Sequence, residues 1–156
     1  MTVHVRKADE GDTSDIVKLW EEFMAFLRRT NRHYWKIKDG RAAFSRYLMS
    51  AFREADVLVT VAEKKGTGLV GFSLAQIEIL PEWFGSEQIG ILRYQSVSEN
   101  CRGRGIGHEM TSFVIDWFRS LGINRIELYV LKGLPASEYW SKMGFKEFMD
   151  RRFMEI

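Results

Sequence analysis

The sequence is short of several things, and each shortage narrows what it can be. Cys101 is the only cysteine in 156 residues, so no disulfide can form within the chain, and a reducing compartment is the natural reading. Its position near a helix start could sharpen the thiol, but no His/Asn arrangement activates it as a nucleophile. His4, His33 and His108 lack metal-ligand spacing, so no metal site is expected. Charge of one sign is not in excess. Twenty-three basic residues stand against 21 acidic ones, too balanced for nucleic acid or an anionic membrane to be the main partner. No apolar run approaches the length of a spanning helix. Residues 1–10 alternate charged and apolar residues with no apolar h-region, which reads as no secretory signal and a cytoplasmic setting. Repeats, linkers and low-complexity tracts are also missing, so residues 1–156 read as a single domain.

What is present suits a globular core. The apolar fraction is 46%, and a chain of this length buries enough surface to fold without disulfides or metals. Thr2 to Lys7 alternates as a short strand. Asp12 offers a helix N-cap, and Ile16, Leu19, Trp20, Phe23 and Leu27 follow at helical spacing. A basic, aromatic stretch from Arg28 to Lys38 closes at Asp39-Gly40, and Phe44, Tyr47, Leu48 and Ala51 mark a second helix. Val57 to Val61, Leu69 to Leu80 and Ile89 to Val97 read as three strands of an antiparallel meander. A helix follows with an apolar stripe from Ile106 to Leu121, then a strand over Ile123 to Val130. Pro135 and Gly144 frame a short helix. Phe145 to Ile156 reads as a terminal strand or hairpin. The order is mixed α/β, and the strand–helix–strand passage from Ile89 to Val130 calls for one parallel pair.

The segment Val97-Ser98-Glu99-Asn100-Cys101-Arg102-Gly103-Arg104-Gly105-Ile106-Gly107-His108 carries the chemistry. It sets three glycines at alternate positions between a strand end and a helix start. Glycine permits positive φ and close ligand approach, and a helix N-terminus offers unpaired N–H groups with partial positive charge. Together they make a cradle for a pyrophosphate, and Arg102 and Arg104 add charge. A Walker A loop requires Lys-Ser/Thr after its glycines, and none is here. A dinucleotide fingerprint counted from Gly103 places His108 where its third glycine should be. Glu127, at the distance of a ribose-binding acid, falls inside a strand rather than at its end. Both alternatives fail on spacing.

The run Arg102-Gly103-x-Gly105-Ile106-Gly107, five residues after a strand valine, resembles the coenzyme-binding motif of the GNAT superfamily of N-acetyltransferases. Val5-Arg6-Lys7-Ala8 leading into Asp15 to Trp20 is similar to that family's first strand and helix, and Leu69-Val70-Gly71-Phe72 to its third strand. Ala136-x-x-Tyr139-Trp140-x-x-x-Gly144-Phe145 is similar to its last conserved motif. The likeness covers nearly the whole chain. It implies the acyl-CoA N-acyltransferase type of α/β fold: a mixed, mostly antiparallel sheet with a parallel, splayed strand pair and flanking helices.

The resemblance also implies a mechanism. Acetyl-CoA is the co-substrate and lies in the splay, the Val97 amide polarises the thioester carbonyl, and the amides of Gly103, Gly105, Ile106 and Gly107, beside Arg102, Arg104 and His108, hold the pyrophosphate. A primary amine of a small molecule or peptide then attacks directly. The family places a tyrosine acid five residues before the phenylalanine of the Gly-Phe pair, and here that position is Trp140. Tyr139 stands one residue earlier, about 100° around the helix, and is expected to point elsewhere. Gly133 replaces the family asparagine ahead of this helix. Trp140 is then a coenzyme contact, Tyr139 and Tyr129 are candidates for proton transfer, and Glu78 and Glu87 are carboxylates near the central strands that could serve as the base. Arg28 to Lys38 is either a solvated connection or a wall of the acceptor site, with His33, Tyr34 and Trp35 the residues to test. Trp83 and Phe84 flank a turn that could serve a homodimer contact. A non-catalytic coenzyme A-binding module is the alternative, motivated by Trp140.

Overall fold

The computed structural model describes residues 2–156 and holds five strands in the order β1-β2-β3-β4-β5. They are β1 Val3–Lys7, β2 Val57–Lys64, β3 Gly68–Ile79, β4 Gln88–Val97 and β5 Ile126–Leu128. The helices are α1 Thr13–Thr30, α2 Gly40–Ala51, α3 Ile106–Ser120 and α4 Ala136–Lys142. Pairings from β1 to β4 are antiparallel, and β4 with β5 is parallel through Gly90–Ile126, Ile91–Glu127 and Leu92–Leu128. This is the mixed sheet with one parallel pair that the element order requires.

The central strands are buried on both faces without a break, from Val57 to Ala62 in β2 and from Val70 to Ala75 in β3, and are apolar there but for Thr60 and Ser73. On one face α1 and α2 bring Ile16, Trp20, Met24, Phe44 and Leu48 onto Val59, Val61, Phe72 and Leu74. On the other face α3 brings Met110, Val114 and Phe118 onto Ala62, Leu58, Ala75 and Leu92. Thr60 and Ser73 are both fully buried and satisfy one another through their hydroxyls, so the polar pair does not interrupt the layer.

Three readings of the sequence are corrected. Asp12 precedes α1 but makes no side-chain cap to it. Its carboxylate is taken by the Arg6 guanidinium on β1, at 2.8 and 2.9 Å, and by the Asp9 backbone N–H. The strand expected over Ile123 to Val130 is only three residues long. The terminal strand is absent: residues 145–156 have no regular structure. Phe145 to Ile156 has aromatic residues that suit a strand, but six of its residues are charged and it pairs with no strand of the sheet. Side chains hold the segment instead. Phe148 lies under Arg125, Asp150 faces Lys132 at 3.7 Å, and Phe153 sits against His33.

Candidate active site

β4 and β5 part company immediately after Leu92–Leu128, so residues 93–97 of β4 have no strand on that edge among the described residues. Ser98 N–H is donated to Val70 O of β3. By alternation the N–H and C=O of Val97 face the opposite way, into the opening. The Val97 carbonyl is held there by Arg102 Nε at 2.9 Å, and the guanidinium of Arg102 stacks on Phe26. Arg102 is thus tied to the strand end rather than extended over the turn.

Directly after this strand end the chain enters the glycine turn. Gly103 (φ 72°) and Gly105 (φ 82°) adopt the left-handed conformation that disfavours any side chain, and the space above both is open. Gly105 is the residue before α3 and caps nothing with a side chain, so the first N–H groups of α3 are not taken by a capping side chain. Arg104 lies exposed in the turn. His108 is exposed, with Nδ1 3.0 Å from Met143 Sδ. Cys101 is buried in the apolar cluster with Ile106 and Met110. An apolar-floored strand end with an outward amide, followed by an uncapped helix start, fits a long ligand with a diphosphate at one end.

Below the turn lies a polar network that sequence reasoning missed. Gln95 Nε2 donates to Gly107 O (3.2 Å) and Thr111 Oγ1 (2.8 Å), while Thr111 Oγ1 donates to Gly107 O at 2.9 Å. The Tyr139 hydroxyl is 2.9 Å from Thr111 Oγ1. Gln95 Oε1 is buried and has no partner among the described residues. Tyr139 therefore turns toward α3 and the glycine turn. Trp140 does not: it packs edge-on against Phe145 and joins the apolar cluster beneath α3 and β5. Tyr129, one residue past β5, is 72% exposed. Thr111, a polar residue at a buried position of α3, was the available signal for this network.

The opposite face of β4 opens into a hollow of about 570 Å³. A β-bulge creates it. Leu74 pairs with Tyr94 and Ala75 with Leu92, leaving Arg93 as an extra residue in β4. A bulge sets two consecutive side chains on one face, so Arg93 and Tyr94 both look toward α1 and α2. Across from them stand Trp20 of α1, Phe44 and Tyr47 of α2, and Lys36, Ile37 and Lys38 of the connection. Trp20 and Phe44 stack at 4.3 Å, and Tyr94 meets Phe44 edge-on. Gly40 admits this arrangement: a Cβ there would lie 2.2 Å from Ile37 and 2.8 Å from Trp20. A second hollow of about 420 Å³ continues past Trp20 to Trp35 and Arg28. Residues 35–38 are consequently a wall of these hollows. Tyr34 contributes from behind, accepting Arg28 at its carbonyl, while His33 turns away to Phe153.

Burial pushes the Tyr34 and Tyr47 phenols above their ordinary range, so both remain protonated donors at neutral pH. Glu78 falls on the same face as Gln76, which lines the hollow, and its carboxylate lies 3.8 Å from Arg93. Glu87 lies before β4, away from this face, where its carbonyl accepts Leu80 N–H. Among the described residues no group of three or more His, Cys, Asp or Glu is gathered to hold a metal ion, and no helix is long and apolar enough to cross a membrane.

The model of the acetyltransferase (GNAT) family matches residues 20–145, from the aromatic wall through the glycine turn to Phe145. The chain belongs to the GNAT acetyltransferase family. An uncharacterised N-acetyltransferase of Methanocaldococcus jannaschii is 25% identical over 148 residues, which cover 94% of this chain and 62% of that protein. The chain thus spans less than two thirds of that relative's length. Among solved structures, a predicted acetyltransferase of Clostridium acetobutylicum with acetyl-CoA superposes with a TM-score of 0.80 at 18% identity, over 99% of this chain and 96% of the other. A tetramutant of a Bacillus halodurans protein gives 0.82 at 17% identity, over 98% of both. At these identities the superpositions speak for the GNAT fold.

Proposed function

We propose that residues 1–156 form one N-acetyltransferase domain that moves an acetyl group from acetyl-CoA to a primary amine by direct attack. The observation that carries this reading is the placement of two openings on one strand, β4: the splay with its outward Val97 amide and uncapped α3, and the aromatic hollow lined by Arg93 and Tyr94. The turn from Gly103 to Gly107 would hold the pyrophosphate, and the splay the pantetheine arm. Acetyl-CoA supplies an activated carbonyl; the nitrogen–carbon bond forms as the carbon–sulfur bond breaks, leaving the thiolate.

The chain's own groups supply the rest. A fixed backbone N–H aimed at the developing oxyanion lowers the barrier by roughly 3 kcal/mol in comparable sites, and the Val97 amide is the donor in this reading. Glu78, on the hollow's face, takes the amine proton directly or through water. Tyr139, held beside the glycine turn by its hydrogen bond to Thr111, donates to the departing sulfur once its hydroxyl proton turns from Thr111 Oγ1. A thiol with an ordinary pKa near 8.5 needs little help to leave, so Tyr139→Phe should slow turnover by less than Glu78→Gln.

The packing of Trp140 against Phe145 and the α3 cluster, where the family carries tyrosine, supports a second reading as a coenzyme-binding module without turnover. Thiol release measured over a broad panel of primary amines separates the two. Turnover on any amine, lost in Gly105→Val together with acetyl-CoA binding, supports the transferase. Acetyl-CoA binding with no thiol release on any amine supports the module.

A further inference from the structure

The hollow on the α1/α2 face has a charge pattern that bears on what enters it. Its lining contains three cations, Lys36, Lys38 and Arg93, and the Glu78 carboxylate beside it, 3.8 Å from Arg93, offsets only part of that charge. An amine arrives in water as an ammonium, and three like charges around it make that form costly. The same field favours the neutral amine, the form that attacks. A plain alkylammonium would nonetheless be repelled at the door. An acceptor bearing an anionic group beside its amine would be drawn in by the cations and would release its ammonium proton more readily among them.

We propose that the acceptor is an amine bearing a carboxylate or phosphate on an apolar or aromatic body, with Arg93 as the residue that engages the anion. The inference rests on the transferase reading above and names its substrate class. Arg93 is suited to the role because the bulge aims it into the hollow beside Tyr94. Its contact with Glu78 is long, at 3.8 Å, and both side chains are more than a third exposed, so the pair constrains Arg93 little. A guanidinium presents paired donors that match carboxylate and phosphate oxygens. The apolar body has its own surface in the Trp20, Phe44 and Ile37 walls. Trp20 is 6% exposed and its indole Nε1 is buried with no acceptor among the described residues, one more donor beside the cavity.

The test compares matched amines differing only in the anion: phenylalanine against phenethylamine, tyramine phosphate against tyramine, and leucine against isopentylamine. Thiol release gives kcat/KM, and calorimetry in the presence of coenzyme A gives affinity. A hydrogen-bonded charge pair predicts a preference of roughly tenfold to a hundredfold for the anionic member of a pair. Arg93→Gln should erase that preference, raising KM for each anionic amine by about tenfold more than for its neutral partner, while acetyl-CoA binding persists. Equal or better use of the neutral amines overturns the proposal, as does a loss in Arg93→Gln that is the same for both members. Failure of every probe to bind overturns it too. Anionic amines that bind with the stated preference but are never acetylated would sustain Arg93 as the residue that engages the anion and sink the transferase reading instead.

Discussion

At the scale of single residues the acceptor wall depends on what is missing from Gly40. Trp20 and Ile37 occupy the volume a Cβ would take, so Gly40→Ala must push the aromatic stack or the connection aside. Overpacking of this kind costs about 1–3 kcal/mol. The expected outcome is a lower melting temperature and a raised KM for the amine, with the KM for acetyl-CoA unchanged, read in a two-substrate steady-state assay. The sequence offered no hint of this. Asp39-Gly40 reads as an ordinary turn, and only the approach of α1 shows that the glycine is needed for room. The glycines of the coenzyme turn are different. Their role follows from local geometry, spaced three in five residues between a strand and a helix, and so it could be read from the sequence.

Between elements, Arg6 and Asp12 tie β1 to the start of α1. The Arg6 guanidinium holds the Asp12 carboxyl below its ordinary value of 3.8, and the carboxylate is largely buried, at 12% exposure. A carboxylate whose pKa is depressed by folding contributes stability that is present above the unfolded value and lost as pH falls through the native one. Asp12→Asn should therefore melt below the parent protein at pH 7. The gap should close as pH falls below about 4, as followed by circular dichroism melts across pH 2–7. Element order and the parallel pair were legible because period and turn chemistry are local properties. The final strand was misread because pairing is not: Phe145 to Ile156 carries the aromatic residues a strand favours, yet finds no ladder beside the three residues of β5. The acceptor hollow was only half legible for the same reason, since it draws on α1, α2, β3, β4 and a connection far apart in sequence.

For the whole molecule, any ligand that binds only the folded chain raises its stability by mass action. At a hundredfold excess over its Kd, acetyl-CoA should add about 2.7 kcal/mol. For a protein of this size that is roughly 5–10 °C in melting temperature. NAD and ATP, at matched concentration, should leave the melt unmoved; a shift with either of them and none with coenzyme A would return the glycine turn to the nucleotide-binding readings that its spacing rejected. The two openings that such titrations probe lie back to back on one strand, and Arg93 decides which residues serve which. Were β4 smoothed into regular pairing without losing a residue, every side chain beyond that point would change sides, sending Gln95 and Val97 to the amine and Tyr94 and Ser96 to the coenzyme. A single supernumerary residue keeps the strand's odd and even positions out of phase, so that one reading frame ends at the bulge and another begins.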